Sequence, residues 1–108
     1  MNRQPVSSQT GGLHPEGEEK PLAYVKAMPL REFGDVEKIK DELKAGNVLI
    51  VKLTPLAVEN IEAVKDAIEE LKAYVESIGG DIARLGEERI VLTPPKIKIW
   101  RKKQAQPQ

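Results

Sequence analysis

The 108 residues carry 17 Lys plus Arg against 17 Asp plus Glu, one histidine and no cysteine, enough chain for a single domain of zero net charge. That balance gives no footing to a nucleic-acid binder or an enzyme for acidic substrates, and the missing cysteine removes disulfides, thiolate metal sites and cysteine nucleophiles. No apolar run approaches the ~20 residues of a membrane-spanning helix and no signal-peptide core follows Met1, which predicts a soluble chain in a reducing cytoplasm.

Residues 1–20 are mostly Gln, Ser, Gly, Pro and Glu, with Val6 and Leu13 the apolar residues after Met1. Such a segment buries too little surface to offset its ordering entropy, so it reads as a disordered arm. Residues 21–100 form the expected core domain, and 101–108 a flexible basic tail. In the core, residues 22–28 predict a first strand ended by Pro29. Asp35 stands as N-cap of a helix that Val36, Ile39 and Leu43 pattern and Gly46 closes. The run Val48-Leu49-Ile50-Val51-Lys52-Leu53 predicts a central strand covered on both faces, broken by Thr54-Pro55.

A second helix is predicted over 58–78. Ile61, Val64, Ile68, Leu71, Val75 and Ile78 alternate steps of three and four, a narrow apolar seam. Beside it Ala63, Ala67 and Tyr74 form a second stripe of mostly small side chains. That stripe is read as a dimer interface, with ordinary core packing as the competing reading. Gly79-Gly80 is a structural turn that stops the helix; following a helix and preceding a strand, it has the reverse of the order a phosphate loop needs. Ile82 and Leu85 with Ile90 and Leu92 are the inward residues of a hairpin turning at Gly86-Glu87-Glu88. Ile97 and Ile99, alternating with Lys96 and Lys98, predict a last edge strand. The fold class is α/β: a single compact domain with a mixed sheet and two helices, in the order β-α-β-α-β-β-β, and dimeric.

The residues offer no catalytic constellation. His14 lies in the arm without companions, and the carboxylates Glu69, Glu70 and Glu76 sit on a solvated helix face. The cluster Lys96, Lys98, Arg101, Lys102 and Lys103 has Trp100 as its one aromatic neighbour, short of the repeated stacking residues of single-strand binders. It reads as a solubilising tail, with anionic lipid headgroups as another target, and Trp100 either caps the core or anchors at a surface. The expected chain is not an enzyme and takes no metal, no cofactor and no nucleic acid.

Taken in order, Gly46-Asn47-Val48-Leu49-Ile50-Val51, then Gly79-Gly80-Asp81-Ile82, then Ile90-Val91-Leu92-Thr93-Pro94 resemble the SepF family of cell-division proteins in its archaeal form. The resemblance implies a dimeric α/β core that binds the C-terminal tail of the tubulin-like protein FtsZ. It implies an adaptor in the cytoplasm, at the division site on the inner face of the cell membrane. Carried onto this chain, the FtsZ-tail site falls on the end of the second helix and the 82–92 hairpin, with Arg84, Leu85, Ile90, Val91 and Leu92 as its contact residues and Ile90 where bacterial members often have phenylalanine. Lys72-Ala73 stands where bacterial members usually have a Ser-Gly pair, which implies a discrete dimer rather than a polymer. The arm lacks the periodicity of a membrane-surface helix, so the membrane is reached indirectly or through another anchor. A small-molecule-binding regulatory dimerisation module is the alternative function.

Overall fold

The computed structural model describes residues 20–102; the expectations for residues 1–19 and 103–108 fall outside the described residues. The elements are β1 (Val25–Pro29), α1 (Asp35–Lys44), β2 (Val48–Lys52), α2 (Thr54–Glu59), α3 (Ile61–Ile78), β3 (Asp81–Leu85) and β4 (Arg89–Thr93). They form a four-stranded sheet in the order β1-β2-β4-β3, with β1 parallel to β2 and both remaining pairs antiparallel. The α/β class and mixed sheet agree with the sequence reading. The first strand starts later than expected and takes in Pro29, whose missing N–H costs nothing at an edge, and three further elements differ.

The predicted last strand does not form. Pro94, Pro95, Lys96 and Ile97 make a turn in which the Ile97 N–H donates to the Pro94 carbonyl, with Lys96 at φ 74°. Proline at the second position and positive φ at the third are the marks of a type II turn. The chain then runs back beside β3 without a strand ladder. The long helix begins later than expected, because Asn60 interrupts it. Asn60 takes an extended conformation and its side-chain oxygen accepts from the Ala63 N–H at 3.0 Å, making it the N-cap of α3. Pro55, in the first turn, starts the separate short α2. Asp35 is the first residue of α1 rather than its cap. Its carboxylate turns back to accept from the Arg31 and Glu32 N–H groups at 2.9 and 3.2 Å, fixing the loop that enters the helix.

Both main helices end in the same way. Asn47 N–H reaches the Glu42 carbonyl and Gly46 N–H that of Leu43; Gly80 N–H reaches Val75 and Gly79 N–H reaches Glu76. These are paired closures of the Schellman type, with Gly46 at φ 93° and Gly79 at φ 77°. Gly80 is demanded by crowding instead: a Cβ there would sit 2.1 Å from the Thr93 carbonyl oxygen.

The helices cover one face of the sheet. Leu49 and Val51 of β2 with Ile90 and Leu92 of β4 point into a core shared with Ile39 and Leu43 of α1 and Val64, Ala67, Leu71 and Val75 of α3. The buried face of α3 is therefore rotated from the predicted seam. Ala67 has no exposed surface while Ile61 is half exposed and Ile68 stands at the flank. This overturns the dimer assignment of Ala67, because a small side chain at the centre lets the helix lie close on its own sheet. Tyr74, on the opposite flank, packs against the core beneath Lys40, whose ammonium sits 5.4 Å from the ring centroid and 2.7 Å from Glu70. Ala63 is likewise packed against the core. Of the stripe, Ala67 alone is wholly interior, while Ala63 and Tyr74 are half-buried at the edge of the core.

Ala67→Glu should therefore unfold the domain rather than split a dimer. A carboxylate forced into that position has no partner, and the cost should be about 3–5 kcal/mol, read as a lowered denaturant midpoint. A variant that loses self-association at unchanged stability would contradict this packing.

Candidate functional site

Alternation along the strands divides the candidate residues between two surfaces. Arg84 pairs with Ile90 and Ile82 with Leu92, so these four stand on the helix side of the sheet. Leu85 pairs with Arg89 and Ala83 with Val91, on the opposite side. The predicted FtsZ-tail set is thus not one surface: Arg84, Ile90 and Leu92 belong to one face, Leu85 and Val91 to the other. Leu92 has no exposed surface and is committed to the core, and Ile90 retains 2 %.

On the helix side a groove of about 230 Å³ separates the flank of α3 from β3. Ile68, Ile82 and Ile90 give it an aliphatic floor, and Lys72 and Arg84 stand at its rim. Arg84 leans toward the hairpin turn, donating to the Glu87 carbonyl at 3.1 Å. Among the described residues neither Lys72 nor Arg84 is paired with a carboxylate. Of these lining residues the sequence reading names Arg84 and Ile90 for the tail site, but not Ile68, Lys72 or Ile82. The available signal was the i, i+4 spacing of Ile68 and Lys72, which puts both on one helix flank.

Among the described residues no helix covers the other face of the sheet. Its central row, Ala27, Ile50, Val91 and Ala83, is aliphatic across all four strands. Val25 and Leu85, at 68 % and 49 % exposure, extend it at opposite corners. Lys52 and Arg89 are cross-strand partners at one end of this face, and among the described residues neither has an acidic partner. Also among those residues, no group of three or more His, Cys, Asp or Glu side chains is placed to hold a metal ion. No described helix is long and apolar enough to cross a membrane.

The family model described as cell division protein SepF matches residues 25–99, most of the chain. The chain belongs to the SepF family. A SepF from Haloferax volcanii is 33% identical over 69 residues, covering 64% of this chain and 58% of that protein. For a SepF from Staphylococcus haemolyticus the identity is 36% over 69 residues, with 64% and 34% covered, so the match spans only part of these relatives. Among solved structures, a SepF-like protein from Pyrococcus furiosus superposes with a TM-score of 0.69 at 35% identity, over 77% of this chain and 100% of that one. The SepF of Methanobrevibacter smithii, solved in complex with an FtsZ C-terminal domain, has a TM-score of 0.66 at 20% identity, over 73% and 99%, a likeness of fold.

At the boundary of this SepF core, Asp81 organises the chain that follows β4. Its carboxylate accepts from the Ile99 N–H at 2.8 Å, from Arg101 at 3.0 and 3.3 Å, and from the Ile82 N–H at 2.9 Å. Arg101 also donates to the Ile82 carbonyl at 2.9 Å, and Lys98 to the carbonyls of Gly79 and Gly80 at 3.2 Å each. The Arg101 guanidinium foremost, then the Ile99 N–H, hold the Asp81 pKa down to about 2, against an ordinary 3.8. A lowered folded-state pKa means that this stabilisation is complete above the ordinary carboxylate range and is lost as pH falls toward 2. The Ile99 amide resonance should accordingly titrate with a midpoint near 2, and Asp81→Asn should abolish the titration. A midpoint near 3.8 would show that the clasp does not form.

Proposed function

We propose that this domain is a non-enzymatic cell-division adaptor that dimerises through its open sheet face. Each protomer's groove beside α3 takes the C-terminal tail of FtsZ, linking filaments to the membrane at the division site. The observation that carries the reading is the groove itself: an aliphatic floor with, at its rim, two cations that have no acidic partner among the described residues, on a SepF core. A short peptide of mixed acidic and aliphatic residues fits such a groove, with apolar anchors on Ile68, Ile82 and Ile90 and carboxylates drawn to Lys72 and Arg84. The Methanobrevibacter smithii SepF, which shares the fold, was solved in complex with such an FtsZ domain. This reading narrows the tail site from the end of the long helix and both sides of the hairpin to the flank of α3 and the helix side of the hairpin.

A peptide of the host FtsZ tail should bind the folded domain. Reversing both rim charges, Lys72→Glu with Arg84→Glu, should lower affinity at low salt by about tenfold, mostly through the on-rate. Both side chains are exposed, so stability should change by less than about 1 kcal/mol. Absence of peptide binding by the folded wild type would remove the FtsZ reading; equal binding by the double variant would move the site elsewhere.

Self-association is assigned to the open face because a sheet with aliphatic residues on both sides needs a second layer, and a second copy supplies an identical one. Val91 lies at the centre of that face and away from the helices. Val91→Lys should leave the monomer folded and shift sedimentation from dimer to monomer at micromolar concentration, without touching the groove. A variant that remains dimeric would place the contact on another surface.

A further inference from the structure

The segment after β4 holds a feature that neither the groove nor the sheet face uses. Trp100, the chain's one tryptophan, is 82 % exposed, although the residues on either side of it are fastened. Ile99 is half-buried with its N–H on Asp81, and Arg101 is clasped to Asp81 and to the Ile82 carbonyl. The strap is further set by the Pro94–Ile97 turn and by the Thr93 hydroxyl, which donates to the Ile97 carbonyl. Trp100 is thus held outward by an ordered backbone and does not cap the core. Around it the chain from Pro94 onward carries Lys96, Lys98, Arg101, Lys102 and Lys103 and no acidic residue, within a protein of zero net charge. Arg101 alone of the described cations here is neutralised by a carboxylate; Lys98 rests on neutral carbonyls. Trp100 and Arg101 also lie just beyond the residues that the SepF model matches.

We infer that this strap is a docking surface for an anionic lipid membrane, with Trp100 entering the headgroup layer and Lys96, Lys98 and Lys102 facing lipid phosphates. An indole has an apolar body and a polar N–H, the combination that settles at a membrane interface, and lysines add attraction to anionic headgroups. An acidic peptide would need a groove or free backbone edge to lie in, and Trp100 is not among the residues lining the α3–β3 groove. A fluid headgroup layer conforms to a protruding ring and needs no such cavity. The inference supplies the membrane arm of the adaptor and rests on that reading for its purpose, but its test contains no FtsZ.

The full chain is mixed at low salt with phosphatidylcholine vesicles, with or without about one-third phosphatidylglycerol, and Trp100 fluorescence reports directly. With the anionic vesicles, emission should shift to the blue and be quenched by brominated acyl chains. Removing two charges, Lys96→Gln with Lys102→Gln, should weaken binding by about twenty-five-fold, since each cation near an anionic surface contributes about fivefold. Trp100→Ala, an exposed position that does not endanger the fold, should lose about tenfold in vesicle flotation. Unchanged emission with anionic vesicles, or equal flotation of wild type and Trp100→Ala, would overturn the proposal. So would binding of single-stranded RNA that matches the vesicles in strength with no quenching by brominated lipid. Lipid binding that fails while the FtsZ peptide still binds would place the membrane contact elsewhere and leave the tail site standing.

Discussion

The arrangement depends on how closely α3 lies against the sheet, and Ala67 sets that distance. With a methyl group at the centre of the contact, the larger Val64, Leu71 and Val75 settle around it and the helix comes down on the core. This placement turns Ile68 and Lys72 outward beside β3, which gives the groove one wall, and turns Tyr74 toward α1. There Lys40 covers the ring and bridges to Glu70 and Glu37. A bulkier residue at 67 would lift the helix, open the interior and change the groove together. The groove is therefore a by-product of core packing and not a separate addition to it.

Much of the fold was legible because its punctuation is local. Gly46 and Gly79 end helices through positive φ, and the aliphatic run over Val48–Lys52 marks a central strand. The resemblance carried by the ordered glycine and aliphatic segments held for the family. What failed was direction. A seam of three-and-four steps says that a helix has an apolar side, but Ile61–Ile68 and Ala63–Ala67 edges compete for its centre, and only the packed sheet decides. The hairpin shows the same limit. Ile82 and Leu85 cannot both face inward along one regular strand, because their positions differ by an odd number, so a site drawn from consecutive residues had to straddle two faces. The alternation of Ile97 and Ile99 with lysines suited an edge strand equally well. Its fate was decided by Asp81, whose carboxylate takes the Ile99 N–H and Arg101 in place of a ladder.

Three surfaces result, and they do not compete. The groove lies on the helix side, the aliphatic row on the opposite side, and the strap runs past the start of β3 at the end of α3. A thin domain with one covered and one open face can hold a copy of itself on the open side while its helix side remains free for a peptide. The distribution of charge follows the same division. Cations with acidic partners, such as Lys26 with Glu42 and Lys40 with Glu70, brace the fold, whereas Lys72, Arg84, Lys52 and Arg89 have no such partner among the described residues and stand on the surfaces that remain available.

The sheet edges argue for face-to-face rather than edge-to-edge association. At β3, the Arg101 side chain occupies the Ile82 carbonyl, and the Asp81 carboxylate holds the returning chain alongside. At β1, Pro29 brings no N–H to the last position, and Lys26 is held by Glu42, which also accepts from Asn47. Both devices discourage a further strand from adding to the ladder. An uncovered aliphatic face bounded by two guarded edges leaves one economical way for a second copy to bury apolar surface, which is to lay its own sheet across the first.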